Sequence, residues 1–267
     1  RADGHAHARP QAQLGEAASP LMAMLASTAD PDLALASLVT LIDLAEDRAD
    51  LLAALVDDEG FAMRLLMVLG ASQALGTHLH RHPEQWHELT DPDLGSTRPA
   101  AFAVRASLLA AVAGRERSAG ADALRVEYYR LMLRLMSRDL AHHVGVDDVA
   151  AELSDLAGGT LEAALELAKQ HVPNAETCRL AVIAMGKCGG HELNYVSDVD
   201  VIFVAEPAEG AQEASALRVA SQLASMLMVI CGDHTAEGTI WPVDANLRPE
   251  GRQGPLVRTL ASHRGYY

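Results

Sequence analysis

The sequence predicts an α plus α/β fold, in which an N-terminal helical domain precedes a smaller α/β domain. Aromatic residues make up 4% of the chain and hydrophobic residues 49%, so the core must consist mostly of Leu, Ala, Val and Met, which favours packed helices. Apolar residues recur at three- and four-residue spacing between residues 20 and 170, as they do on one side of a helix. Beyond Pro173 this spacing gives way to short apolar runs of strand length.

The helical domain is predicted to cover residues 20–170. Its first clear helix begins at Asp30–Pro31, because an aspartate can cap free backbone N–H groups and proline suits the first helical turn. The later long helices are predicted at Ala100–Ala113, Ala121–Val144 and Val146–Lys169. Residues 1–19 lack an apolar signal core and are predicted to be a disordered or trimmed N-terminus.

The α/β domain is predicted to cover residues 171–267 and to be truncated at its C-terminus, since the chain stops abruptly. It is expected to contain a buried strand at 180–185, a loop at 186–197, a second strand at 198–204, an amphipathic helix at 211–231 and a third strand at 239–247. A chain without an initial Met that ends in this way is expected to be a piece of a longer protein.

The net charge of −15 argues against nucleic-acid binding, which needs a basic surface that this chain does not provide. A small nucleotide needs only a metal ion and a few local cations, so it remains a possible ligand. The three cysteines are too widely spaced for a disulfide framework or a CxxC metal site, which indicates a reduced, cytoplasmic protein. No apolar stretch reaches the roughly 18 residues of a membrane span, so no membrane partner is predicted.

Asp198 and Asp200 are the first candidate site residues. Residues two apart on a strand project from the same face, about 6.6 Å apart, so both carboxylates can converge on one or two hard cations such as Mg²⁺. Val199 and Val201 should then point into the core. An isolated Asp-x-Asp pair is more often two solvated carboxylates, so the pattern requires support from elsewhere in the chain.

Three further features supply that support. Gly189 and Gly190 lie in the preceding loop, where backbone N–H groups can approach phosphate oxygens. Ser197 can donate its hydroxyl to a phosphate. Asp244 lies on the predicted third strand and is available as a third carboxylate on the same face.

Two motif blocks then carry a resemblance to a known family. The segments GKCGGHELNYVSDVDVIFV (186–204) and VDANLRPEGRQGPLV (243–257) closely resemble the bifunctional glutamine-synthetase adenylyltransferase/adenylyl-removing enzymes. The segments LGASQAL (69–75), RHPEQW (81–86) and AELSDLA (151–157) are similar to the helices that precede the catalytic motifs in that family. The resemblance implies a DNA-polymerase-β-like nucleotidyltransferase domain at 171–267.

The resemblance also implies roles for individual residues. Asp198, Asp200 and Asp244 match the metal-binding and catalytic positions, and two Mg²⁺ ions are expected there. The nucleotide- and phosphate-binding positions are matched by Gly189, Gly190, Ser197 and Arg248, with Lys187 as a further candidate phosphate partner. The family usually has a basic residue where this chain has Asn246, which leaves one phosphate or substrate contact in doubt.

The activity implied is removal of AMP from a tyrosine of glutamine synthetase by phosphorolysis, giving ADP and so regulating nitrogen assimilation. The segments ELN (192–194) and RHPEQW favour this adenylyl-removing half of the family enzyme. Glutamine synthetase, ADP or ATP, phosphate and a PII-type regulatory protein are the implied partners. The alternatives are ATP-dependent adenylylation of the synthetase and a non-catalytic nucleotide-binding regulatory domain.

One pair of histidines has the spacing of zinc ligands, which is an alternative to a surface position. His78 and His82 are four residues apart on a predicted helix, as zinc ligands can be, but no third ligand or Glu-x-x-His context accompanies them. They are predicted to be surface histidines.

Overall fold

A computed structural model describes residues 20–95, 98–141 and 144–267. The prediction of a disordered or trimmed segment at 1–19 lies outside the described residues. The described chain is mostly helical with one small mixed sheet, which confirms the predicted fold class at this level. It packs as two compact units, one within residues 1–97 and 132–145 and the other within 98–131 and 146–267.

The first unit is built from short amphipathic helices. Residues 20–27 are helical, and the helices that follow are α1 (Pro31–Leu44), α2 (Arg48–Asp57), α3 (Glu59–Ala71) and α4 (Gln73–Arg81). The predicted start of α1 is confirmed, since the Asp30 side chain accepts a hydrogen bond from the Leu33 N–H group at 3.0 Å. Two 3₁₀ turns, Pro83–Leu89 and Pro92–Gly95, complete the described part of residues 1–97.

Three long helices lead to the sheet: α5 (Ala101–Val112), α6 (Arg117–Leu140) and α7 (Val146–His171). Helix α6 contributes residues to both units. In the second unit α5 packs closely on α7, because Gly159 leaves room for it: a Cβ there would lie 2.9 Å from Leu108 Cδ1 and 3.2 Å from the Cα atom of Arg105. An ion pair between Arg105 and Glu162 joins the same two helices.

The second unit carries the sheet and its covering helix. The remaining elements are β1 (Cys178–Ala184), the one-turn α8 (Gly186–Gly189), β2 (Val199–Pro207), α9 (Glu213–Gly232), β3 (Val243–Asp244), β4 (Val257–Arg258) and α10 (Leu260–Tyr266). Strand β2 pairs antiparallel with β1 on one side and parallel with β3 and β4 on the other.

Strand β2 presents two different faces. Val199, Val201 and Phe203 are fully buried on the side covered by α9, so the prediction that the two valines point into the core is confirmed. Asp200 projects from the opposite face. Strand β1 is an edge strand with Ile183 45% exposed, so the prediction of a buried strand there is wrong: an apolar run does not reveal whether anything covers its second face.

The third predicted strand is much shorter than expected. Of residues 239–247 only Val243–Asp244 pair with β2, in register with Val199 and Asp200. The residue before this pair still bonds to β2, since the Val199 N–H group donates to the carbonyl oxygen of Pro242 at 3.1 Å, and after it the Asn246 N–H group bonds to the Asp244 side chain.

Helix α9 is long and apolar enough to cross a bilayer by length and composition, and it is the one such helix in the described ranges. Its buried residues pack against β2 and α7, and a core helix passes the same length and composition test. The predicted domain boundary between residues 170 and 171 stays a prediction. It marks the change from helices to strands, whereas the compact units group α5, half of α6 and α7 with the sheet.

Candidate metal and nucleotide site

Three carboxylates converge at one end of β2. Asp198 lies one residue before the strand, Asp200 is its second residue, and Asp244 pairs with Asp200 across to β3. Each of the three offers a carboxylate oxygen that lies within 4.8 Å of the others. Oxygen donors at this separation suit hard divalent cations, which take carboxylates together with water or phosphate oxygens.

The negative charges of the three aspartates act on one another. Partial burial raises the pKa of Asp200 above its usual value, the charges of Asp198 and Asp244 raise it further, and the nearby ammonium of Lys187 lowers it. The cluster therefore carries an electrostatic cost that a bound cation would remove.

This charge clustering predicts a pH dependence of metal binding. Because the pKa of Asp200 is raised, protons compete with a divalent cation at a higher pH than an ordinary aspartate would allow. We expect Mn²⁺ affinity to begin to fall, as the pH is lowered, while the pH is still above the ordinary Asp pKa of about 3.9. Titrating the protein with Mn²⁺ by calorimetry at a series of pH values checks the expectation. An affinity that stays constant until that ordinary pKa is reached would contradict it.

A glycine turn packs directly against Asp200. Gly186 has a φ of +51°, and a Cβ atom there would lie 2.6 Å from Asp200 Oδ2. The turn is fastened to the strand by a hydrogen bond from the Met185 N–H group to the carbonyl oxygen of Asp200 at 2.8 Å. Reasoning from sequence missed Gly186, although its place at the end of an apolar run could have marked a strand-to-turn transition.

The two glycines predicted to bind phosphate, Gly189 and Gly190, lie at the end of a short helical turn. The segment expected to be a loop begins with the helical turn α8, in which the N–H groups of Gly189 and Gly190 bond to the carbonyl oxygens of Met185 and Gly186 (2.9 and 3.1 Å). These N–H groups are therefore occupied. Gly189 is also required for packing, because a Cβ there would lie 2.5 Å from the Ala184 carbonyl oxygen, and the phosphate-binding role of both glycines stays a prediction.

The two ends of this turn offer a matched pair of substitutions. Gly186→Ala places a methyl group against the Asp200 carboxylate at a strained φ, so we expect Mn²⁺ affinity to fall by about tenfold or more. Gly190→Ala should change it by less than about twofold, since residue 190 has ordinary αR dihedrals and a Cβ would meet nothing closer than 3.5 Å. Equal losses in the two variants would show that Gly186 does not position Asp200.

Two predicted phosphate partners stand beside the triad. The Lys187 ammonium donates to Asn194 Oδ1 at 3.1 Å and is exposed, and its charge reaches Asp200. The hydroxyl of Ser197 donates to the carbonyl oxygen of Asp198 at 2.8 Å, so it must rotate before it can donate to a phosphate. Both roles stay predictions.

Arg248 closes the loop that follows Asp244. Its guanidinium donates to the carbonyl oxygens of Ala245 and Gly254, at 2.7 and 3.2 Å, which commits two of its donors to the backbone. Its phosphate-binding role stays a prediction that depends on the remaining donors.

Asn246 lies in contact with a cationic side chain. Its backbone N–H bonds to Asp244 Oδ1 at 2.7 Å, and its side-chain oxygen accepts from Arg252 Nε at 3.3 Å. The exposed guanidinium of Arg252 thus lies next to Asn246, two residues after Asp244. Sequence reasoning did not single out Arg252.

The buried side chain of Arg125 forms hydrogen bonds to the backbone between α9 and Asp244. Arg125 on α6 is 0% exposed, and burial lowers its pKa. Its guanidinium donates to backbone carbonyl oxygens at the end of α9 and beyond, those of Ile230 (2.8 Å), Asp233 (2.5 Å) and Gly238 (2.9 Å). Tyr129, one turn later on α6, donates to the carbonyl oxygen of Thr239 at 2.6 Å. No local pattern could have revealed contacts more than 100 residues apart in sequence.

The histidines weighed as zinc ligands are held by other contacts. His78 is 2% exposed and bonds through Nε2 to Gln85 Oε1 at 2.7 Å, so the prediction that it lies on the surface is wrong. Its ring lies at an interplanar angle of 39° to that of His82, with ring centroids 5.0 Å apart. A half-apolar helix can bury a histidine when a neighbouring turn supplies its hydrogen-bond partner.

Comparison with known proteins identifies relatives over most of the chain. The model of the glutamate-ammonia ligase adenylyltransferase family matches residues 62–267. A bifunctional glutamine synthetase adenylyltransferase/adenylyl-removing enzyme from Streptomyces avermitilis is 52% identical over 251 residues, covering 92% of this chain and 24% of the relative. Enzymes of the same description from Streptomyces coelicolor (50% identical, 92% and 25% covered) and Cutibacterium acnes (44%, 91% and 26%) also match. The chain spans about a quarter of the length of these relatives.

Proposed function

Because this chain belongs to the glutamate-ammonia ligase adenylyltransferase family, we propose that its three carboxylates form the active site of an adenylyl-transfer reaction on glutamine synthetase. The reaction we propose is removal of AMP from an adenylylated tyrosine by phosphorolysis, which would regulate nitrogen assimilation. The observation that carries the proposal is the convergence of Asp198, Asp200 and Asp244 within 4.8 Å at the uncovered end of β2. The antiparallel and parallel pairing around β2 supports a DNA-polymerase-β-like arrangement of residues 171–267.

The donor set fits Mg²⁺. All three side chains are carboxylates, and the raised pKa of Asp200 reflects negative charge that a divalent cation would compensate. We propose that Asp198 and Asp200 hold Mg²⁺ and that Asp244 completes the site for a second ion. When bound, the ions would neutralise phosphate oxygens and stabilise the charge on the attacking and leaving oxygens.

The proposed step is an in-line displacement at phosphorus. An oxygen of inorganic phosphate forms a bond to the α-phosphorus, and the bond from that phosphorus to the tyrosine oxygen breaks. The proton of the attacking phosphate passes to the phenolic oxygen, so the products are ADP and tyrosine. Lys187 and Arg252 are the exposed cations that flank the triad, and each can orient a phosphate oxygen.

The direction of transfer is the finer part of the proposal. The ELN segment at 192–194 and the RHPEQW segment at 81–86 support the adenylyl-removing half of the family enzyme. Adenylylation by ATP is the second candidate, since the same carboxylates serve both directions. The remaining partners proposed are ADP or ATP, phosphate and a PII-type regulatory protein, in the cytoplasm, without nucleic acid or membrane.

Two parallel assays separate these possibilities. One supplies AMP-labelled glutamine synthetase with phosphate and Mg²⁺, and the other supplies unmodified synthetase with labelled ATP and Mg²⁺. We expect ADP release in the first assay and no incorporation in the second. Incorporation alone would assign the adenylylating direction, and nucleotide binding without either reaction would assign a non-catalytic regulatory domain.

A further inference from the structure

The outer side of α9 forms a groove of two adjoining pockets. The first, here the Arg117 pocket, lies between α9, the start of α6 and the end of α7, and has a volume of about 500 Å³. The second, the Arg218 pocket, lies between α9, β4 and α10, and has a volume of about 520 Å³. Ser221 and Gln222 line both pockets, so together they make one continuous surface, the α9 groove.

Each pocket contains an exposed arginine with no partner assigned in the described chain. Arg117 stands in the first pocket and Arg218 in the second, and neither makes a hydrogen bond or ion pair there. Glu213 is the one carboxylate that lines the groove. Two unpaired guanidinium groups on a protein of net charge −15 make this surface locally complementary to anions.

One residue that lines each pocket has a buried nitrogen for which the described chain supplies no hydrogen-bond partner. These atoms are Nε2 of His171, beside the Arg117 pocket, and Nε of Arg258, beside the Arg218 pocket. The other nitrogens of Arg258 are occupied, since they donate to Glu250 and Ser262. Both nitrogens are shielded from solvent, so they do not contact a segment bound on the surface, and the exposed side chains of Arg117 and Arg218 carry the positive charge of the groove.

The surface between the two cationic ends is mainly apolar and open to solvent. Val172, Pro173, Met226 and Val229 line one pocket, and Val229 is 49% exposed. From Arg218 to Val229 a helix rises about 16 Å, the length of roughly five extended residues. A small metabolite is usually enclosed over most of its surface, whereas an open groove of this length suits an extended chain.

From these features we propose that the α9 groove binds an extended acidic segment of a partner protein. One carboxylate of the segment pairs with Arg117, and a second, about five residues away, pairs with Arg218. Gln222 and Ser225 lie between them and can bond to the peptide backbone. The α9 residues that line the groove are not among its buried residues, and none of the three aspartates lines the groove, so the proposal does not depend on the adenylyl-transfer reaction.

The test uses the whole chain and a fluorescein-labelled six-residue peptide with glutamates at its two ends and Val and Ser between them. The matched peptide carries glutamine in place of both glutamates. We expect the acidic peptide to bind and the neutral one to bind at least about tenfold more weakly, with affinity falling as salt is added. No binding of the acidic peptide, or equal binding of both peptides, would overturn the proposal.

Charge reversals locate the binding surface. Arg117→Glu and Arg218→Glu should each weaken the acidic peptide by about fivefold or more, whereas Arg179→Glu, an equal charge change on exposed β1, should alter it by less than about twofold. All three side chains are exposed, and thermal melts verify that the variants fold. Equal weakening by Arg179→Glu would refute the groove as a peptide site.

Discussion

Asp200→Asn is expected to reduce phosphate-dependent release of AMP by on the order of 10³-fold, because metal ions supply several kcal/mol of transition-state stabilisation that the variant would lose. Asparagine has nearly the same shape as aspartate, so Val199 and Val201 keep their buried positions and the fold should persist. The measurement is ADP release at saturating Mg²⁺ together with Mn²⁺ binding by calorimetry. Glu209→Gln removes the same charge from an exposed position and should leave both unchanged.

The same substitution should stabilise the metal-free protein. Since the pKa of Asp200 is raised on folding, the folded state binds more protons than the unfolded state in the interval between the two pKa values. The stability of the metal-free protein therefore falls as pH rises through the folded pKa. We expect Asp200→Asn to melt at a higher temperature than the parent at pH 7 without metal, and at a similar temperature in acid. A variant that melts lower at pH 7, or that releases AMP at near-normal rates, would refute the metal-binding role.

Arg125→Ala is expected to have the largest effect on stability. It leaves the backbone carbonyls of Ile230, Asp233 and Gly238 without their donor in a buried region, and bonds to charged groups contribute about 1.5–3 kcal/mol each. Allowing for relaxation and water entry, we expect a loss of about 4 kcal/mol, which lowers the melting temperature by roughly 8–16 °C in a domain of this size.

Arg125→Lys gives the more informative comparison. Lysine keeps the charge but lacks the planar fork, so it can satisfy only some of the carbonyls and should lose about half as much stability. Tyr129→Phe removes one bond to the same connection and should cost about 1 kcal/mol. Arg179→Ala, on exposed β1, is the control and should stay within about 0.5 kcal/mol of the parent. A melting temperature for Arg125→Ala equal to that of this control would contradict the account.

Much of the candidate site could be predicted from the sequence, because two of its three carboxylates are close together in the chain. Asp198 and Asp200 belong to one strand, and a two-residue spacing fixes their common face whatever surrounds them. Asp244 required the further assumption that its segment pairs beside β2, and the register of Asp200 with Asp244 meets that assumption. Gly186 shows the limit of such reasoning. A side chain at this position would collide with the carboxylate of Asp200, which is 14 residues further along the chain, and only the tertiary structure shows that the two residues are in contact.

The type of a polar residue does not predict its hydrogen-bond partner. The Ser197 hydroxyl and two donors of Arg248 bond to nearby backbone carbonyls, while their phosphate-binding roles stay predictions. His78 was expected on the surface and is buried against Gln85. Hydrogen-bond partners are set by distances in space, and a sequence lists only the groups that can take part.

By itself the sequence determined the succession of helices and strands, the alternation of β2 and the three acids that can serve a divalent cation, because each of these follows from periodicities of two to four residues. Only the tertiary structure decided how long β3 is, which strand lies at the edge, and that Arg125 on a helix far upstream fastens the segment leading to Asp244. Those outcomes depend on which distant groups satisfy one another's hydrogen bonds and cover one another's apolar surface, and no short-range pattern encodes that pairing.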